Sequence, residues 1–145
     1  MILKPVLYAE DEENDAFFLK RGFKQAQIPN TLIVVPDGQA AIDYCSDIGP
    51  FADRSQHPLP QLILLDLNMP KKTGMEVLQW IRHQPSISTL PVVILSSSTQ
   101  DEDIRLAYSR GANGYLVKPS DPDDLKVMVS AIAEFWLKQN RQALT

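Results

Sequence analysis

The chain has 145 residues, the length of one ordinary domain: enough to bury a core and short for two. With 44% hydrophobic and 22% charged residues, 6 Gly and 11 Pro, it is neither collagen-like nor wholly disordered. The balance of 14 Lys and Arg against 18 Asp and Glu, a net charge of −4, argues against a nucleic-acid or anionic-membrane surface, where counterion release rewards clustered positive charge.

One cysteine, Cys45, excludes an internal disulfide, and no Cys/His group has zinc-ligand spacing. The start, Met1-Ile2-Leu3-Lys4-Pro5, lacks a basic region followed by an apolar stretch, and no segment approaches the roughly 20 apolar residues of a membrane span. A reducing, cytoplasmic setting with no membrane contact is the expectation.

Short apolar runs alternate with longer stretches of helical period, the pattern of an α/β protein whose parallel sheet is covered by helices on both faces. The runs predict five strands, near Pro5 to Ala9, Thr31 to Val35, Gln61 to Leu65, Pro91 to Leu95 and Gly114 to Val117, with five helices between and after them. The first helix, from about Glu13 to Gln25, places Phe18, Leu19, Gly22, Phe23 and Ala26 on one face and Phe17 off it. Asp37-Gly38 turns the chain into a second helix through Ala41, Ile42, Tyr44 and Cys45, and a long irregular connection follows over residues 48–61. The third helix turns Val77, Leu78 and Ile81 inward. The fourth turns Ile104, Ala107 and Tyr108 inward and stops at Gly111. The last begins near Pro122, with Leu125, Met128, Val129, Ile132 and Trp136 as the core stripe and Val127, Ala131 and Phe135 beside it.

In an open sheet of this kind the ligand crevice lies beyond the carboxyl ends of the strands. Those ends carry Glu10-Asp11-Glu12-Glu13, Asp66-Leu67-Asn68, Ser96-Ser97-Ser98-Thr99 and Lys118-Pro119. Glu10, Asp11 and Asp66 together are three like charges, which raise one another's pKa and need compensation. A divalent cation supplies it. Oxygen-only donors, with Asn68 adding an amide or backbone carbonyl, favour Mg²⁺ (or Mn²⁺) over zinc. Asp66 follows Leu62-Ile63-Leu64-Leu65 and is held rigidly at a strand tip, where a carboxylate can act as a nucleophile on phosphorus. Lys118 and the Ser96 hydroxyl then face the charge on the phosphoryl oxygens. Taken singly, the Glu10 to Glu13 run also reads as a solvated first helical turn, and Ser96 to Thr99 as a helix cap.

These blocks resemble the receiver domain of two-component response regulators, the CheY-like branch of the flavodoxin-like folds. The resemblance rests on Glu10-Asp11, on Asp66-Leu67-Asn68-Met69-Pro70 with Gly74, on Pro91 to Ser96, and on Gly111 to Pro119, and covers nearly the whole chain. It implies a doubly wound sheet of strand order 2-1-3-4-5 in one receiver domain, residues 1–145, with a short tail from about 138. It also implies that Asp66 is the phosphoacceptor for a sensor histidine kinase, with Glu10, Asp11, Asp66 and the Asn68 carbonyl around the metal. Lys118 then contacts the phosphoryl oxygens, Ser96 and Tyr115 form the switch pair, and Asn68 and Ser98 tune dephosphorylation. Lys118-Pro119 corresponds to the family's cis-proline bond. The 48–61 loop and Phe135-Trp136-Leu137 resemble the single-domain regulators that serve phytochrome kinases.

Only eight residues follow Leu137, so the expected output is binding, through a surface of helix four, strand five and helix five that is also a candidate homodimer face. The protein is then no metabolic enzyme, although it promotes its own Asp phosphorylation and dephosphorylation. Two alternatives belong to other classes. An aspartyl-nucleophile phosphatase calls for an acid two residues after the nucleophile, where Asn68 stands and cannot protonate a leaving group. A nucleotide- or flavin-binding module calls for a Gly- or hydroxyl-rich loop after strand one, where Glu10 to Glu13 repel phosphate.

Overall fold

The computed structural model describes residues 3–46 and 49–143. Met1, Ile2, Asp47, Ile48, Leu144 and Thr145 lie outside the described residues, and with them both ends of the expected 1–145 domain and the start of the 48–61 loop.

The five strands are β1 (Val6–Ala9), β2 (Leu32–Val35), β3 (Leu62–Leu65), β4 (Val92–Ser96) and β5 (Gly114–Val117), all parallel, in the order β2-β1-β3-β4-β5. The helices are α1 (Glu13–Gln25), α2 (Gly38–Cys45), α3 (Gly74–Arg82), α4 (Asp101–Ser109) and α5 (Pro122–Ile132). β1, β3 and β4 are buried throughout, because both faces of a parallel sheet are covered, and their runs of Val, Ile and Leu carry no polar alternation.

The strand residues divide by parity between two cores. Leu7, Ala9, Ile63, Leu65, Val92 and Ile94 pack with Tyr44, Val77, Leu78, Ile81 and Ala107 of α2, α3 and α4. Val6, Tyr8, Leu62, Leu64, Val93 and Leu95 pack with Leu19 and Phe23 of α1 and Val129 and Ile132 of α5. Helix starts are written in the sequence: Asp37 and Asp121 cap α2 and α5, and Thr73 with Glu76 forms a reciprocal capping box on α3.

Three expectations are corrected. Tyr108 is exposed, because on the short α4 only Ala107 is buried and Ile104 is half-buried at the edge. α5 does not continue as one α-helix through Trp136. It gives way after Ile132 to a π-helical segment, Ala133–Gln139, whose wider turn brings both Trp136 and Leu137 against the α1–α5 core and leaves Phe135 exposed. The Lys118-Pro119 bond is trans, as are all peptide bonds among the described residues; trans is the lower-energy isomer of an X-Pro bond by about 0.5–1 kcal/mol. The loop after residue 48 is less irregular than its composition implies. A 3₁₀ turn, Gly49–Phe51, leads into a segment folded onto α2, where the Tyr44 hydroxyl donates to the Pro58 carbonyl at 2.7 Å and Phe51 and His57 pack around the Tyr44 ring.

Candidate functional site

Register brings the acidic residues together. Ala9 pairs with Leu65 across β1 and β3, so the residues that follow, Glu10 and Asp66, leave the sheet side by side. The ladder extends past the strand ends to hold them: Glu10 N–H donates to Val35 O at 3.0 Å, Asp66 N–H to Ala9 O at 3.1 Å, and Lys118 N–H to Ser96 O at 2.8 Å. Behind Asp66 the chain turns tightly into α3, with Gly74 N–H on the Leu67 carbonyl at 3.0 Å.

Carboxylate oxygens of Glu10, Asp11 and Asp66 lie within 4.8 Å of one another. Glu10 is 2% and Asp66 6% exposed, whereas Asp11 faces solvent. Glu10 is anchored by donors: its Oε1 accepts from the Tyr8 hydroxyl at 2.8 Å and from Lys118 Nζ at 2.5 Å, and its Oε2 from Glu12 N–H at 3.2 Å. Lys118 Nζ also donates to Asp15 Oδ2 at 2.8 Å and stands 3.6 Å from Asp66 Oδ2.

Burial, then the hydrogen bond and charge of Glu10, push the Asp66 carboxyl up to about 7 against the pull of Lys118. Burial draws the Lys118 ammonium down, and the hydrogen bonds it donates to Asp15 and Glu10, with the charge of Asp66, outweigh it, so its pKa is raised. Burial, followed by the Glu10 charge, raises the Tyr8 phenol. The carboxylates of Glu10, Asp15 and Asp66 thus face one ammonium, with Asp11 a further acid beside Glu10 and Asp66. The oxygen-only donors, the excess negative charge and the raised Asp66 pKa are what a hard divalent cation relieves, so the residues fit such an ion.

The remaining expected residues ring the same edge. Ser96, at the end of β4, is fully buried, and its Oγ accepts from Ser98 N–H at 3.1 Å. The Ser98 hydroxyl donates to Asp103 Oδ2 of α4 at 2.5 Å, and the Ser98 carbonyl accepts from the Tyr115 hydroxyl at 2.9 Å. The Tyr115 ring is half-buried against the α2–α4 core. Asn68 is exposed between the buried Leu67 and Met69.

Two participants were missed from the sequence, Tyr8 and Asp15. Tyr8 shares a strand face with Glu10 by the two-residue repeat, and Asp15 lies in the first turn of α1, which begins at Glu13 just after Asp11. Both positions were visible signals.

A 2-1-3-4-5 parallel sheet whose carboxyl edge gathers three acids, a lysine and a buried serine defines the doubly wound signalling domains. The chain belongs to the response regulator receiver domain family, which it matches over residues 6–130. It is 38% identical over 135 residues to the response regulator Rcp1 of Synechocystis sp., covering 93% of this chain and 90% of Rcp1. The crystal structure of the Mn²⁺-bound form of Rcp1 superposes with a TM-score of 0.85 at 36% identity, over 97% of this chain and 99% of that one. The response regulator RPA3017 in red light signaling of R. palustris gives 0.92 at 37% identity, over 99% and 100% of the two chains. The phosphorylated cyanobacterial phytochrome response regulator RcpA gives 0.89 at 34%, over 97% and 99%.

Proposed function

We propose that Asp66 accepts a phosphoryl group from the phosphohistidine of a sensor histidine kinase, in a reaction that needs Mg²⁺ or Mn²⁺. The observation that carries the reading is the position of Asp66: rigid at the tip of β3, with Glu10 and Asp11 within 4.8 Å and the Lys118 ammonium at 3.6 Å.

Glu10, Asp11, Asp66 and Asn68 are the residues that would hold the cation, which when bound offsets charge on the phosphoryl oxygens. An Asp66 oxygen attacks phosphorus, the new P–O bond forms as the P–N bond breaks, and the electron pair returns to the imidazole ring. Asp66 must be ionised to attack. Lys118 stands ready to face the equatorial oxygens, and Ser96 offers its hydroxyl from the neighbouring strand. The added charge of roughly −1.5 to −2 then draws on Ser96 and, through the Ser98 segment, on Tyr115. The domain promotes its own phosphorylation and dephosphorylation, with Asn68 and Ser98 setting the lifetime.

The output is binding by a single receiver domain with a tail from about residue 138. α4, β5, α5 and the π-helical segment after it expose Leu106, Tyr108, Val117, Val127 and Phe135, a face suited to a partner or a second copy. Among the described residues no helix is long and apolar enough to cross a membrane, and the net charge is −4, in keeping with a cytoplasmic protein that does not bind nucleic acid directly. The likeness to RcpA, a phytochrome response regulator, and to RPA3017, of red light signaling, supports a kinase of the phytochrome type.

Acetyl phosphate with the metal tests the chemistry. One base-labile phosphoryl group per chain is expected on the wild type and none on Asp66→Asn; equal labelling of the variant would refute the assignment.

A further inference from the structure

The Lys118 ammonium lies among three carboxylates, and Asp66 is the one it does not hydrogen-bond. Nζ is 2.5 Å from Glu10 Oε1, 2.8 Å from Asp15 Oδ2 and 3.6 Å from Asp66 Oδ2. The first two partners differ in kind. Glu10 is buried and also held by the Tyr8 hydroxyl and the Glu12 N–H, so it is fixed. Asp15 is 40% exposed, and among the described residues Lys118 is the donor its carboxylate holds.

We propose that Asp15 is a positioning residue that competes with Asp66, and with a phosphoryl group on it, for the Lys118 ammonium. The proposal rests on the reading of Asp66 as phosphoacceptor. An ammonium near three acids goes where charge density is greatest. In the unphosphorylated protein Asp15 holds the ammonium from the α1 side at 2.8 Å, while the Asp66 carboxylate stands beyond hydrogen-bond distance at 3.6 Å. A phosphoryl group reverses the balance. When Nζ leaves, water can solvate Asp15, because the residue lines a cavity of about 190 Å³ shared with Phe18, Lys118 and Leu125. Leaving Asp15 therefore costs far less desolvation than leaving Glu10 would.

Asp15 thus stabilises the ground state more than the transition state, in which the ammonium must face the phosphoryl oxygens as the Asp66–phosphorus bond forms and the donor's bond to phosphorus breaks. Lys118 keeps its protons throughout. Removing the Asp15 charge should speed phosphoryl acquisition.

The experiment compares wild type, Asp15→Asn, Asp15→Glu and Glu13→Gln, with acetyl phosphate and Mg²⁺ as probe. Asp15→Asn should raise the first-order rate of labelling by about three- to tenfold, the scale of one partly screened charged hydrogen bond. Asp15→Glu, which restores the charge, should return the rate to within about twofold of wild type. Glu13→Gln, which removes a nearby exposed charge that does not touch Lys118, should leave it within about twofold. In the metal-free protein the side-chain ¹⁵Nζ resonance of Lys118 should move in Asp15→Asn and stay in Glu13→Gln. A rate unchanged or lowered in Asp15→Asn, an acceleration matched by Glu13→Gln or persisting in Asp15→Glu, or an unmoved Nζ resonance overturns the proposal. A wild type that takes no label overturns the phosphoacceptor reading as well; a labelled wild type with no acceleration overturns this one alone.

Discussion

Gly74 and Asp66 are pressed together at the start of α3: a Cβ placed on Gly74 would lie 2.2 Å from the Asp66 carbonyl oxygen and 2.9 Å from the Leu67 Cα. Both obstacles are backbone, so no side-chain rotation relieves them. Gly74→Ala must therefore push α3 off the β3 end or displace Asp66 itself. The expected cost is on the order of 2–4 kcal/mol of unfolding free energy, read as a lowered urea midpoint. Labelling by acetyl phosphate should fall with it even where the variant is fully folded. A Gly74→Ala protein with wild-type stability and labelling would show that the α3 start is not held against the acceptor.

The Asp66 carboxyl, raised from 3.8 to about 7, makes stability depend on pH in a definite sense. Between those values the folded protein binds the proton more tightly than the unfolded chain, so the contribution is full below about pH 4 and is lost as pH rises through about 7. Asp66→Asn cannot titrate. It should be more stable than the wild type at pH 8 in the absence of metal, by an amount that shrinks on acidification towards pH 5. Thermal melts of both proteins across this range, with EDTA present, check it. A wild-type advantage at pH 8 would contradict the sign.

The strands and the meeting of Glu10, Asp11 and Asp66 at one edge were legible in the sequence because topology, not side-chain detail, sets them. Apolar runs of four or five residues can hide in a two-sided sheet, and whatever follows each run lands at the same end. Details that depend on where a side chain turns were not legible. That Lys118 leans towards Asp15 follows from close geometry between residues far apart in sequence, and the two-residue spacing of Tyr8 and Glu10 puts them on one face without fixing that the hydroxyl donates to the carboxylate. Trp136 fits the 3.6 period of α5, yet the π-helical turn after Ile132 rephases the chain without changing any residue type. The trans bond before Pro119 is a choice between isomers close in energy, on which residue identity is nearly silent.

Arg82 closes the opposite side of the fold. Its guanidinium donates to the carbonyls of Gly111, Ser88 and Leu90 at 2.9, 3.0 and 2.8 Å and to Asn113 Oδ1 at 2.8 Å, tying the end of α3 to the approaches of β4 and β5. Gly111 takes φ +105° to present its carbonyl there. Arg82→Met should cost roughly 3–5 kcal/mol, since several part-buried acceptors lose their donor. Arg82→Lys should recover less than half of that loss, because one ammonium cannot span a planar fork of acceptors. Urea denaturation of the three proteins reads the difference, and full recovery by lysine would show that charge alone suffices.

Ser98 joins two moving parts expected of the switch. Its hydroxyl is held by Asp103 at the start of α4, and its carbonyl holds the Tyr115 phenol. Ser98→Ala breaks the first link and keeps the second, so the α4 start should loosen while Tyr115 remains in place. Asp103→Asn weakens the same link from the other side by removing the acceptor's charge. Both variants should therefore change the lifetime of the phosphoryl group in the same direction, by about two- to fivefold, the scale of one hydrogen bond. Tyr115→Phe releases the other end, and its effect should add to that of Ser98→Ala only if the two links are independent. Decay of labelled protein after removal of acetyl phosphate measures all of these. Opposite effects of Ser98→Ala and Asp103→Asn would mean that Ser98 acts on the phosphoryl group directly and not through α4.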